Sequence, residues 1–247
     1  MSVSERVHVV VREMVPYVPK IFAAKINPKW LEELAAIEAR VMKSTHKKQN
    51  CANANSPCPG FNLGNSIEQG WKVVHCPSTF ARKHPDLYRR TICVFEKMIN
   101  HHLGKQPWFK RLYQEIESMV KQIHGEDAIK KIFPMKGIPL TAIWFSTEPI
   151  SVGVHNDSDA FGFGLSLTTK KNPNFALSLL DDVTLEVTDR PSMGTGEVMT
   201  GSWLTYFHRV DKVRDVPDLG RPSITLYCDK RIFLRDAHIK DHRKDVA

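Results

Sequence analysis

The chain has 247 residues, of which 42% are apolar, 25% charged and 9% aromatic, and it carries a formal charge of +8. That length holds one large domain or two small ones, and the composition excludes collagen, low-complexity disorder and a disulfide-dense mini-protein. No window approaches the roughly 18 unbroken apolar residues of a membrane helix, and the start MSVSERVHVVV lacks the n-region and apolar core of a secretory signal.

The expectation is therefore an intracellular protein, in nucleus or cytoplasm, with no membrane partner. Cys51, Cys58, Cys76, Cys93 and Cys228 are odd in number and irregularly spaced, which points to reduced thiols rather than a disulfide framework. A zinc site from Cys51, Cys58, His75 and Cys76 lacks a C-x2-C pair, and the adjacent His75-Cys76 is poor ligand spacing. The basic excess is local. Residues 1–135 hold 21 Lys and Arg against 12 Asp and Glu, whereas residues 136–247 hold 14 against 15. A positive surface concentrates polyanions such as nucleic acid, and it also serves plain solubility.

In chain order, Asn27-Pro28 has the cap-then-proline form of a helix start, followed by Trp30, Leu34, Ile37 and Val41 at helical spacing. Glu32, Glu33, Glu38 and Arg40 fill the positions between them. Residues 51–66, CANANSPCPGFNLGNS, lose all periodicity and read as a long loop, a lid or a partner segment. Helices are expected over Asp86–Leu103 and Trp108–Ile123. Arg82, Lys83, Arg89, Arg90, Lys105, Lys110 and Arg111 are the candidates for a basic patch, or else solvated helix edges.

From Pro139 the texture changes to short strand-like runs: PLTAIWF, SVGVH, FGFGLSLTT, FALSLL, VTLEV, EVMTGSWLTYF and SITLYC. Seven such segments without a helix-length run between them predict an antiparallel sandwich or barrel. The reading is a single α+β domain over 1–247, with a helical, basic half at 1–135 packed on a β core at 136–247. The last stretch, DKRIFLRDAHIKDHRKDVA, mixes both charge signs and reads as a solvated tail or helix, with His238 and His242 outside any metal site.

One constellation carries chemistry. His155 and Asp157 close an alternating strand, and residues at i and i+2 of a strand share a face. His208 follows 53 residues later at the end of WLTYFHRV. Two histidines and a carboxylate on one face of a β scaffold leave half of a coordination sphere open, which is the facial triad of non-haem iron oxygenases. Thirteen residues further on, Arg221-Pro222-Ser223 opens the last strand with a guanidinium and a hydroxyl on one face, a pair suited to a distal carboxylate.

These residues resemble the Fe(II)/2-oxoglutarate-dependent dioxygenase superfamily over roughly residues 139–229. The resemblance implies a double-stranded β-helix (jelly-roll) core, with His155, Asp157 and His208 holding Fe(II) and Arg221 and Ser223 binding 2-oxoglutarate. It implies oxidation of a substrate coupled to conversion of 2-oxoglutarate to succinate and carbon dioxide, with ascorbate as an optional accessory reductant. The layout is also similar to the TET/JBP-like branch, which oxidises methyl groups of pyrimidines in nucleic acid. Asn156, Asp159 and Phe161 stand where a substrate would be read, and Trp144, Phe145, Phe163, Tyr206 and Phe207 lie on the same strands, as stacking surfaces or as core. The expected partner is thus nucleic acid, DNA ranked ahead of RNA, with no obligate protein partner. Each piece has a plainer reading. His155 can be a surface histidine, Asn156-Asp157-Ser158 a turn, His208 a strand end and Arg221 a solvent-facing charge. The alternatives are a dioxygenase acting on a small metabolite or peptide, and a non-catalytic β-barrel binding protein.

Overall fold

The structure is a computed structural model that describes residues 22–50, 59–68, 73–147, 152–155, 160–167, 169, 175–181, 183–189, 197–201, 207–212, 224–233 and 237–239. The described elements begin with β1 (Phe22–Lys25), α1 (Pro28–Met42), β2 (Gln49–Asn50), β3 (Pro59–Asn62), β4 (Asn65–Glu68) and β5 (Val73–Pro77). Helices α2 (Thr79–Lys83), α3 (Pro85–His102), α4 (Pro107–His124) and α5 (Ile129–Ile132) follow. The strand region holds β6 (Ala142–Ser146), β7 (Val152–His155), β8 (Ala160–Leu167), β9 (Phe175–Leu180) and β10 (Val187–Asp189). It continues with β11 (Glu197–Gly201), β12 (His208–Lys212), β13 (Ile224–Asp229) and β14 (Ala237–Ile239).

Local chemistry accounts for the helices. The Asn27 side chain accepts the Lys29 N–H at 3.0 Å and Pro28 opens α1, so one orphan donor is capped and another does not exist. Pro85 and Pro107 open α3 and α4 in the same way, one residue ahead of the predicted starts. Leu34, Ile37 and Val41 of α1, Phe95, Met98 and Ile99 of α3, and Phe109, Leu112 and Ile116 of α4 are all buried in one continuous core.

That core also takes one face of the larger sheet, through Phe61, Ile143, Phe145, Leu165, Leu167, Ile224 and Leu226. The larger sheet has the order β1-β11-β8-β13-β6-β3-β2 and the smaller β10-β9-β12-β7. Every pairing in these two is antiparallel. From β6 on the chain crosses repeatedly between them: β6, β8, β11 and β13 lie in the larger sheet, while β7, the β9–β10 hairpin and β12 lie in the smaller. A third sheet, β14-β5-β4, joins β14 parallel to β5. The fold is mixed helix and antiparallel sheet.

Several segments depart from the sequence expectation. Part of the stretch read as a loop at 51–66 is strand: β3 pairs with β6, Phe61 opposite Phe145 and Asn62 opposite Trp144. Its first eight residues lie outside the described ones. A local turn composition was overridden here by a tertiary partner, because backbone groups of 60–65 bond to residues 141–146 and to the Asn62 side chain. Leu63 N–H donates to Ile143 O at 2.8 Å and Asn65 N–H to Thr141 O at 2.7 Å. The buried Asn62 amide oxygen accepts from Gly64 N–H at 2.7 Å and Ile143 N–H at 3.1 Å. Replacing Asn62 by alanine strands those donors. We expect a loss of about 1–3 kcal/mol, a fall of roughly 2–10 °C in melting temperature; an unchanged melt would show that the amide holds nothing.

VTLEV is not a strand throughout. Asp181 Oδ1 accepts from Val183 N–H at 2.9 Å and Thr184 N–H at 2.8 Å, so these residues form a hairpin tip before β10 starts at Val187. Those two backbone bonds hold the Asp181 carboxyl below its ordinary range. Of EVMTGSWLTYF, β11 covers Glu197–Gly201 and residues 202–206 lie outside the described ones, while β12 begins at His208. The C-terminal stretch is not wholly solvated: Ile232 and Phe233 are buried, His124 Nε2 lies 2.6 Å from Ile232 O, and His238 sits in β14 opposite Val74. Burial of two large apolar side chains outweighs the charged neighbours that suggested a tail. The stretch expected to be helical also carries β1 to β5. No described helix is long and apolar enough to cross a membrane.

Candidate metal centre

β7 ends at His155 and β12 begins at His208, and the two strands run antiparallel with these residues as direct partners. Directly opposed residues of an antiparallel pair share a face, with Cβ atoms roughly 4.5–5.5 Å apart. On its other flank His208 opposes Leu179, and both are buried, at 5% and 4% exposure. Between the pairs His208–His155 and Val210–Val152, three steps along β7 match two along β12. Such a bulge bends a strand and re-aims its side chains, and bulges recur beside functional sites.

The other predicted site residues are placed less fully. Asn156, Asp157, Asp159, Arg221 and Ser223 lie outside the described residues. Asp157 is two positions past the end of β7, and Ser223 immediately precedes β13. Phe161 lies in β8. Among the described residues no group of three or more His, Cys, Asp or Glu side chains stands close enough to hold a metal. For the zinc alternative, Cys51 and Cys58 lie outside the described residues, while His75 and Cys76 are consecutive in β5. Consecutive strand residues point to opposite faces, which disfavours sharing one ion. Cys228 is fully buried, and burial, reinforced by Asp229, pushes its thiol well above the ordinary range, so it is a core residue rather than a nucleophile.

The larger sheet has two unlike faces. Ile143, Phe145, Leu165, Leu167, Ile224 and Leu226 meet the helices, while the residues between them are Trp144, Ser166, Thr225 and Tyr227. Ser166, Thr225 and Tyr227 are half-buried, and the two hydroxyls lie 3.5 Å apart. Trp144 is 7% exposed, its indole lies against Gly60, and its buried Nε1 has no hydrogen-bond partner among the described residues. A buried donor left unpaired costs free energy, so it is a natural place for an acceptor on a ligand. The sequence reading counted Trp144 among the aromatics but missed this polar face. The signal was there in the alternation Ile224-Thr225-Leu226-Tyr227, whose second period is hydroxyl-bearing.

No protein-family model matches the chain, and no curated protein does. Among solved structures it is similar to an oxidoreductase of the 2OG-Fe(II) oxygenase family from Burkholderia pseudomallei, with 12% identity, 96% of this chain and 93% of that one covered, and a TM-score of 0.47. It is similar to a prolyl hydroxylase from Trichoplax adhaerens, crystallised with a hypoxia inducible factor peptide fragment, with 10% identity, 93% of each chain covered and a TM-score of 0.47. A third is OsALKBH1, with 15% identity, 85% of this chain and 98% of that one covered, and a TM-score of 0.45. The functional reading rests on this chain's own residues.

Proposed function

We propose that this chain is a non-haem Fe(II)- and 2-oxoglutarate-dependent dioxygenase built on a double-stranded β-helix. The observation that carries the reading is the direct pairing of His155 with His208 where β7 ends and β12 begins. The repeated crossing of the chain between two antiparallel sheets supports the jelly-roll assignment.

The donor set fits a divalent iron. Two imidazoles on one face and the carboxylate of Asp157 would form a facial triad with open positions. When bound, the iron supplies the oxygen-dependent redox chemistry that the side chains lack. Buried at 5% exposure beside Leu179, His208 is kept from bulk water and from freely changing its ring orientation. Arg221 and Ser223 would take the distal carboxylate of 2-oxoglutarate, the guanidinium bidentately. Asn156, Asp159 and Phe161 would border the substrate. We read that substrate as a pyrimidine base, methylated or not, in nucleic acid, as in the TET/JBP-like branch; the basic excess of residues 1–135 supports it.

The test is succinate release under air with Fe(II), ascorbate and 2-oxoglutarate, with and without short methylated DNA. We expect stimulation by the DNA. In the Arg221→Ala variant we expect apparent 2-oxoglutarate affinity to fall by about 1.5–3 kcal/mol, roughly ten- to a hundredfold. An unchanged affinity would assign the cosubstrate to other residues, and absence of succinate in an iron-loaded wild type would end the 2-oxoglutarate reading.

A further inference from the structure

The basic residues divide into two kinds once their partners are known. Arg89 pairs with Asp86 at 2.8 Å, Arg90 with Glu33 at 2.7 Å, and Lys121 with Glu126 at 2.7 Å and Glu117 at 3.4 Å. Neutralised in this way, they offer little to a polyanion. Arg40, Lys43, Lys47 and Lys83 are different: all four are exposed, and none has a carboxylate partner among the described residues. They come from the end of α1, the segment after it and the end of α2.

Arg40 and Lys83 act on the ring of His84, which meets that of His46; Lys47 follows His46 in the chain and Lys43 caps the C-terminal end of α1. The His46 and His84 rings meet edge-on with centroids 5.0 Å apart, and Phe80 lies 4.5 Å from His84 and 6.0 Å from His46. Phe80 in turn stacks on Phe61 of β3 at 4.3 Å. His46 is half-buried. His84 precedes Pro85 at the start of α3 and its side chain does not cap that helix. Its ring is held below the ordinary histidine range, first by burial and then by the charges of His46, Arg40 and Lys83. The charges acting on it among the described residues are positive, and Asp86 in the first turn of α3 is paired with Arg89.

We propose that Arg40, Lys43, Lys47 and Lys83, together with the His46–His84 pair, form the docking surface for the phosphate backbone of single-stranded nucleic acid. This rests on the nucleic-acid reading above and names where the strand is held. A base to be oxidised must leave the stack, and a single strand presents it without the cost of flipping it out of a duplex. The combination suits it: unpaired cations track the backbone, and a half-buried aromatic ring is a sequence-tolerant stacking partner. A bound phosphate favours the protonated form of the His84 imidazole, so affinity rises as pH falls from 7.5 to 6.

Fluorescence anisotropy with a fluorescein-labelled single-stranded oligodeoxynucleotide, using the full chain, tests this. The triple variant Lys43→Ala, Lys47→Ala, Lys83→Ala should bind at least tenfold more weakly, and its slope of log affinity against log salt should fall by about 2, for three lost contacts. The control Lys97→Ala, Lys105→Ala, Lys110→Ala removes the same charge from exposed positions of α3, α4 and the turn between them, and should bind within about twofold of wild type. In the variant His84→Gln the gain in affinity at pH 6 should vanish. Equal loss in both triple variants would overturn the surface in favour of net charge alone. Wild-type binding by the first triple variant, with a lowered melting temperature, would make these lysines helix-end charges only. A wild type that binds no oligonucleotide but binds phosphatidylserine vesicles would overturn the nucleic-acid reading itself.

Discussion

Replacing His208 by alanine is expected to reduce succinate formation to below about one hundredth of wild type, since loss of even an outer-shell partner of a metal site costs 10- to 100-fold. His208 is one of two histidines paired across β7 and β12, and its removal leaves the open triad short of a donor. Iron content after anaerobic reconstitution should fall with activity. The competing reading makes His208 a buried structural residue, and the two are separable. A structural histidine at 5% exposure would, on truncation, lower the melting temperature and leave iron content and turnover per folded molecule intact. Loss of iron with a melt close to wild type supports the metal assignment; retained iron and turnover would refute it. His155→Ala should behave in parallel, because the register makes the two histidines equivalent partners.

Adding one methyl group at Gly64 is expected to destabilise the fold by about 3 kcal/mol or more, at the upper end of overpacking costs. A Cβ there would lie 2.5 Å from Thr141 O and 2.6 Å from Ile143 N, both main-chain atoms that cannot swing aside. The same few residues carry the bonds that join 63–65 to 141–143, and Ser78 N–H donates to Gly64 O at 3.0 Å. Forcing the strands apart would therefore break hydrogen bonds as well as relieve the clash. The measurement is a denaturant melt of Gly64→Ala against wild type. A midpoint within experimental error of wild type would show that this segment does not pack closely on β6.

The helices were legible in the sequence. Caps, prolines and apolar spacing at Asn27-Pro28, Pro85 and Pro107 are local signals, and they act over a few residues whatever lies beyond them. Strand content after Pro139 was legible for the same reason, from β-branched and aromatic runs cut by turn residues. His155 and His208 could be picked out because a strand's two-residue period makes faces predictable. That they stand directly opposite each other could not, since register depends on which strand lies beside which.

Tertiary contacts decided the rest. Residues 59–62 have a turn-like composition, yet they are strand because β6 offers its edge and Asn62 satisfies the donors. Glu38 falls between apolar positions and reads as a solvent-facing charge, but it is buried at 2% exposure and accepts the Thr169 hydroxyl. Charge compensation was likewise out of reach: of the candidates Arg82, Lys83, Arg89, Arg90, Lys105, Lys110 and Arg111, Arg89 and Arg90 prove to be paired with Asp86 and Glu33. Composition and period report what a residue prefers on its own. Pairing, register and charge compensation belong to two segments at once, and only the folded chain brings those segments together.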